Sequence, residues 1–140
     1  MVLDPQQEEF LKLHRFGVLS TIKKSGAPQS TPVYYLYENG EILISANIWK
    51  HKTRNIQRDP RVTLCVLDEG PRNRHLQVSG RATVTEEDLV ETSTRIFRRF
   101  RPEIPADFAQ WLKEQQRIIL VLTPEKAAPR PHPPTTSSST

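Results

Sequence analysis

The chain has 140 residues, of which 36% are apolar and 26% charged, and a formal net charge of +4. This is the make-up of one soluble globular domain, and so small an excess of positive charge does not mark a nucleic-acid binder. A single cysteine, Cys65, excludes an intrachain disulfide scaffold, and its apolar neighbours predict a buried, inert thiol. The start, MVLDPQQEEF, has neither a basic nor an apolar leader region, and no stretch approaches the ~18 consecutive apolar residues of a membrane span. A cytosolic protein is expected.

The first element is a helix. Asp4 suits an N-cap, Pro5 the first helical position, and Gln7 stands three residues after the cap, where a capping box closes. Phe10, Leu11 and His14 fall on one face, and Gly17 is expected to end the segment. Strands follow. Val18–Ile22 is β-rich, and the stretch KKSGAP, with Gly26 and Pro28, reads as a turn. Val33–Tyr37 reads as a second strand and Ile42–Ser45 as a third. Asn39-Gly40 between them predicts a type I′ hairpin.

The segment WKHKTRNIQRDPR, residues 49–61, holds five Lys or Arg against one acid, Asp59. It reads as a short helix ending before Pro60. On a helix, Trp49, Thr53 and Ile56 share a face that would pack on the sheet, while Lys50, Arg54 and Arg58 form a charged stripe. Lys50 and Lys52 would point in nearly opposite directions from mid-helix. They converge on one ligand only if Lys50 precedes the helix and Lys52 lies in its first turn, where free N–H groups suit a phosphate. On residue pattern alone, a solvated helix face and an anion site both stand.

Arg61–Leu67 is a fourth strand and His75–Val84 a fifth, with Leu76, Val78 and Gly80 in line on one face. Thr85 is placed to cap a helix, with Asp88 at the capping-box distance; Leu89, Ser93, Ile96, Phe97 and Phe100 then recur at helical spacing. Pro102 and Pro105 break that helix. Ala106–Gln115 is a further short helix carrying Phe108, Trp111 and Leu112, and Ile118–Leu122 a sixth strand. Residues 127–140, AAPRPHPPTTSSST, have too little apolar surface to offset ordering entropy and are expected to form a disordered tail. Six strands joined mostly by short turns predict a mainly β fold, a small antiparallel barrel with appended helices over residues 1–126.

Many chemistries are missing. There is no GxGxxG, P-loop or GxSxG motif, and no His/Cys spacing for a metal, so no metal site is expected. No carboxylate pair suggests acid–base hydrolysis. What remains is a binding module or an enzyme whose cofactor carries the chemistry.

The runs GVLSTIKKSGAPQSTPVYYLY, ILISAN, KHKTRNIQRDPRVTLCV, LQVSGRATV and RIILVLTPEKA, in that order, resemble the pyridoxamine 5′-phosphate oxidase-like flavin/deazaflavin oxidoreductases. Within these they look most like the group that binds the deazaflavin coenzyme F420. The likeness covers about Phe16 to Lys126, and its most specific piece is the K-T-R-N-x-x-R-D-P-R segment. It implies a split β-barrel that forms homodimers with the cofactor at the interface. By this resemblance Gln29, Ser30, Thr31, Pro32 and Val33 line the ring, and Ser45 and Ala46 lie beside the ring or ribityl chain. Lys50, Lys52 and Thr53 take the phosphate, with Arg54 and Asn55 near it. His75 and Gln77 fall where a partner subunit meets the cofactor. One departure stands out: the vitamin oxidases carry Arg where Thr31 stands and Lys where Leu36 stands. That argues against the vitamin substrate and against their way of holding flavin mononucleotide.

The implied activity is hydride transfer from reduced F420 to a small unsaturated or oxidised molecule, or the same with flavin mononucleotide (FMN). The competing class is a non-catalytic module that binds the cofactor or nucleic acid. No strand shows the regular basic–aromatic interleaving of a single-strand binder, so no nucleic-acid partner is expected.

Overall fold

The computed structural model describes residues 2–68 and 70–129. Its elements are α1 (Pro5–Leu13), β1 (Phe16–Ile22), β2 (Pro28–Tyr34), β3 (Leu36–Glu38), β4 (Glu41–Asn47), α2 (His51–Arg58), β5 (Arg61–Leu67), β6 (His75–Thr85), α3 (Leu89–Phe97), α4 (Phe108–Glu114) and β7 (Arg117–Ala128). All seven strands form one antiparallel sheet in the order β2-β1-β5-β6-β7-β4-β3.

Chain connectivity explains the curl. The two ends of the sheet are β2 and β3, and only Tyr35 separates them in sequence. A flat seven-stranded sheet would hold its outer strands about 29 Å apart, at about 4.8 Å per step. One residue cannot span that, so the sheet must bend until its edges meet. Tyr35 is fully buried at the joint; its N–H donates to Arg15 O and its hydroxyl to Leu11 O at 2.8 Å.

The count is therefore seven strands, not six. The expected strand Val33–Tyr37 is cut at Tyr35: its first half belongs to β2, which pairs with β1, and its second half to β3, which pairs with β4. The sequence PQSTP hides β2 because Pro28 and Pro32 lack a ladder donor. Pro is tolerated there because β2 is an outermost strand. Gly17 does not end α1; it lies within β1, where an added Cβ would stand 2.8 Å from Cys65 O.

The Asp4 capping box forms as expected, and Asn39 and Gly40 both take the positive φ of a type I′ turn. Thr85 does not cap α3. Its hydroxyl accepts from Glu87 N, Asp88 is in the left-handed region, and the helix starts at Leu89. Two cores result. Inside the curl lie Leu19, Ile42, Ile44, Leu64, Val78 and Leu120 among others, with Leu11 from α1 and Ile56 from α2. Outside, α3 and α4 cover β4 and β7, packing Ile96, Phe97, Phe108 and Leu112 on Leu43 and Ile119. Covering both faces explains the unbroken apolar runs ILISA and IILVL. Cys65 faces outward and is half-buried, not interior, because it alternates with Leu64 and Val66.

The last strand runs past the expected Leu122 to Ala128, and Ala127 packs against the inner core. The rest of the expected tail, 130–140, lies outside the described residues. No helix among the described residues is long and apolar enough to cross a membrane.

Candidate functional site

The seam of the curled sheet opens as a cleft of about 260 Å³. Its apolar walls include Phe16 from β1, Pro32, Val33 and Tyr34 from β2, and Phe97 and Phe100 from α3 and the turn after it. Its polar groups are Ser45 of β4, Lys52 of α2 and Arg117 of β7. Strand parity brings Ser45 and Arg117 together. Asn47 pairs with Arg117 and Ser45 with Ile119, so Ser45, Asn47 and Arg117 share the outer face of β4 and β7.

Arg117 is held rigidly by neutral groups. Its Nε and Nη2 donate to Ser45 Oγ at 3.2 and 2.9 Å, and Nη1 donates to Asn47 Oδ1 at 3.0 Å. Its guanidinium lies 5.6 Å from the Phe97 ring and 5.4 Å from that of Trp111. Burial, and then the charge of Arg101, lower its pKa. Lys52 is half-buried nearby, and its pKa is lowered by burial first, then by Lys50 and Arg117. No carboxylate among the described residues forms an ion pair with Lys50, Lys52, Arg101 or Arg117. A partly desolvated cation without a counter-ion costs folding energy and is most simply balanced by a bound anion.

The residues singled out from sequence divide into three groups. Pro32, Val33, Ser45 and Lys52 converge on the cleft. Lys50 is the N-cap of α2 and Lys52 lies in its first turn, the one arrangement in which the two can share a ligand. Lys50 Nζ sits 5.0 Å over the Trp49 ring. Trp49 does not join the packing face: it precedes the helix and is 48% exposed, whereas Thr53 and Ile56 are buried.

A second group does not line the cleft, and most of its members are engaged in the fold. Thr53 is fully buried and its hydroxyl donates to Asn47 O at 2.8 Å. Asn55 Nδ2 donates to Thr21 Oγ1 and to Gln29 Oε1, and its Oδ1 accepts from Arg58. Ala46 points into the inner core, opposite to Ser45. Ser30 is exposed and its hydroxyl meets that of Ser20, Thr31 is partly buried opposite Leu19, and Arg54 is exposed.

His75 and Gln77 form the third group. They are exposed at the far end of β6, whereas the row through Ser45 and Ile119 reaches β6 at Thr85. Ten residues separate His75 from Thr85, roughly 33 Å of strand. On the opposite wall they come closer: Leu67, one residue past the Gly17–Val66 pair and so beside Phe16, pairs with His75, which puts His75 two strands, roughly 10 Å, from the β1 side of the cleft.

A match to the family described as pyridoxamine 5′-phosphate oxidase extends over residues 3–130. The chain belongs to this family. The fold is accordingly the family's split barrel, with helices appended. Solved structures agree on the fold. An F420 reductase is 24% identical with a TM-score of 0.72, covering 90% of this chain and 98% of its own. The heme storage protein HutZ of Vibrio cholerae is 18% identical (TM-score 0.71, coverage 91% and 94%). An FAD-binding protein of Mesorhizobium loti is 17% identical (TM-score 0.69, coverage 89% and 92%). One fold thus carries three different cofactors, and only local side chains can discriminate among them.

Sequence reasoning missed Arg117. It stands alone in EQQRII, outside both basic clusters, and its partners Ser45 and Asn47 are about 70 residues away. Alternation was the available signal: Arg117 is in phase with the outward residues Ile119 and Val121.

Proposed function

We propose that this chain is an oxidoreductase that binds the deazaflavin F420 and acts as a homodimer on a small organic molecule. The observation that carries the reading is the start of α2: Lys50 as its N-cap and the partly buried Lys52 in its first turn, neither paired with an acid among the described residues, beside a cleft with aromatic walls. That donor set fits an anionic, planar cofactor. When bound, the reduced deazaflavin supplies a hydride. Lys50 and Lys52 at the start of α2 neutralise a phosphate there. Pro32 and Val33 exclude water from one side of the cleft. The exposed Arg54 beyond them favours F420, with its longer anionic tail, over FMN. His75 and Gln77 do not line the cleft of their own chain; in the homodimer they are the residues assigned to the side where the second copy meets the cofactor.

The test is titration of the purified protein with F420 and with FMN, followed by fluorescence, with hemin as a control. Tighter binding of F420 is the expected result. Tighter binding of FMN would transfer the same reading to flavin. Binding of neither flavin would sink it, and tight binding without turnover over a panel of reducible substrates would leave a cofactor-carrying module.

A further inference from the structure

The polar end of the cleft contains an oriented hydrogen-bond donor that phosphate binding leaves unused. The Arg117 fork approaches Ser45 Oγ through two N–H groups and therefore faces the oxygen's lone pairs. The O–H of Ser45 must point away from the guanidinium, and no acceptor for it appears among the hydrogen bonds of the described residues. Arg117 commits three of its five N–H groups, all to neutral oxygens, and two remain. Phe97 and Trp111 flank the guanidinium and limit its movement.

Four cations influence one another in sequence along this side of the molecule: Lys50 with Lys52, Lys52 with Arg117, and Arg117 with Arg101. One phosphate carries at most two negative charges, so the row exceeds what a phosphate at the α2 end can balance. The excess lies at Arg117, beside the aromatic walls. There Tyr34 and Phe100 stack at 4.0 Å and 13°, and Phe16 leans on Tyr34 at 4.9 Å.

We propose that the Arg117–Ser45 end of the cleft binds a small planar carboxylic acid, its carboxylate on the guanidinium and the serine hydroxyl and its unsaturated or aromatic body against Phe16, Tyr34 and Phe100. A flat two-oxygen acceptor matches a planar fork, and a monoanion is cheaper to desolvate between aromatic rings than a phosphate dianion. The volume of about 260 Å³ accommodates one ring with its acid group. The oxidoreductase reading above enters only in making that acid the substrate; the binding geometry stands without it.

Ligand-observed NMR with the full chain tests this, using benzoate, its uncharged counterpart benzamide, and inorganic phosphate. Benzoate should bind at least about tenfold more tightly than benzamide, the scale of one lost charge-assisted hydrogen bond. Arg117→Met, which keeps the side-chain length between Phe97 and Trp111, should remove that preference. Ser45→Ala should weaken benzoate binding severalfold, with the melting temperature near wild type. Saturation with FMN or F420 should leave benzoate affinity within about threefold, since the two anions occupy different ends of the row. Equal binding of benzoate and benzamide, or benzoate binding unchanged in both variants, would overturn the proposal. So would displacement of benzoate by the cofactor or by phosphate at equal concentration. If neither flavin binds but benzoate still requires Arg117, the cofactor reading fails and the carboxylate site remains.

Discussion

Two basic clusters of this molecule have opposite fates. After α3, Arg99 donates to the carbonyls of Lys12 and His14 at the end of α1, and Arg15 returns a bond to Arg99 O at 2.8 Å. Arg95 is paired with Glu38 at 2.7 Å. These arginines have partners within the chain. Among the described residues, Lys52 and Arg117 at the seam have hydrogen bonds to neutral groups at most and no acid. Charge density therefore does not locate a site here. The informative quantity is charge that is partly buried and left without a partner.

The sharpest way to break that contrast is to remove one member from each side. Lys52→Ala should lower cofactor affinity at least about tenfold. Its melting temperature should hold or rise, because repulsion with Lys50 and Arg117 is relieved. Equal affinity in the variant would return Lys52 to the solvated surface. Arg99→Ala should do the reverse. It strands the Lys12 and His14 carbonyls and should cost about 1–3 kcal/mol of stability, read by chemical denaturation, while cofactor affinity stays at the wild-type value.

A pH series sharpens the same comparison. The pKa of Lys52 is lower folded than unfolded, so its charged form penalises the folded state. That penalty is complete below the folded pKa and fades as pH rises towards the unfolded value, so this residue's contribution makes stability climb across the window. Anion affinity falls over the same window, because the cation that holds the anion is lost. The difference between wild type and Lys52→Ala isolates both trends, and parallel pH curves for the two proteins would contradict them. The smallest effect is expected at the exposed pair: Arg95→Ala should change stability by about 0–1 kcal/mol, and raising the salt concentration should shrink even that difference.

Much of the local structure was legible. Asp4, Pro5 and Gln7 specify the start of α1 through bonds that span three residues. Asn39-Gly40 specifies its hairpin because few other residues accept two positive φ angles in succession. The existence of α2 was readable as well, but its start was not: Lys50 ahead of the helix was one of two placements the pattern allowed. The reading failed where the deciding contact is distant. β2 looks like a loop until its position at the sheet edge excuses two prolines. Trp49 fits a helical face by spacing but sits before the helix begins. Thr85 has a capping pattern, yet its hydroxyl is taken by a turn two residues on.

By itself the sequence determined most element types, the family, and the basic segment that opens α2. These depend on interactions between near neighbours or on motifs preserved as strings. Only the tertiary structure decided which charges remain free. The joint at Tyr35 curls the sheet, the curl brings β2 against β4 and α3, and strand register sets Arg117 beside Ser45 across 72 residues of chain. Whether a cation is balanced depends on every group within a few ångströms of it. No linear pattern specifies that set, because folding assembles it from strands that the chain visits far apart.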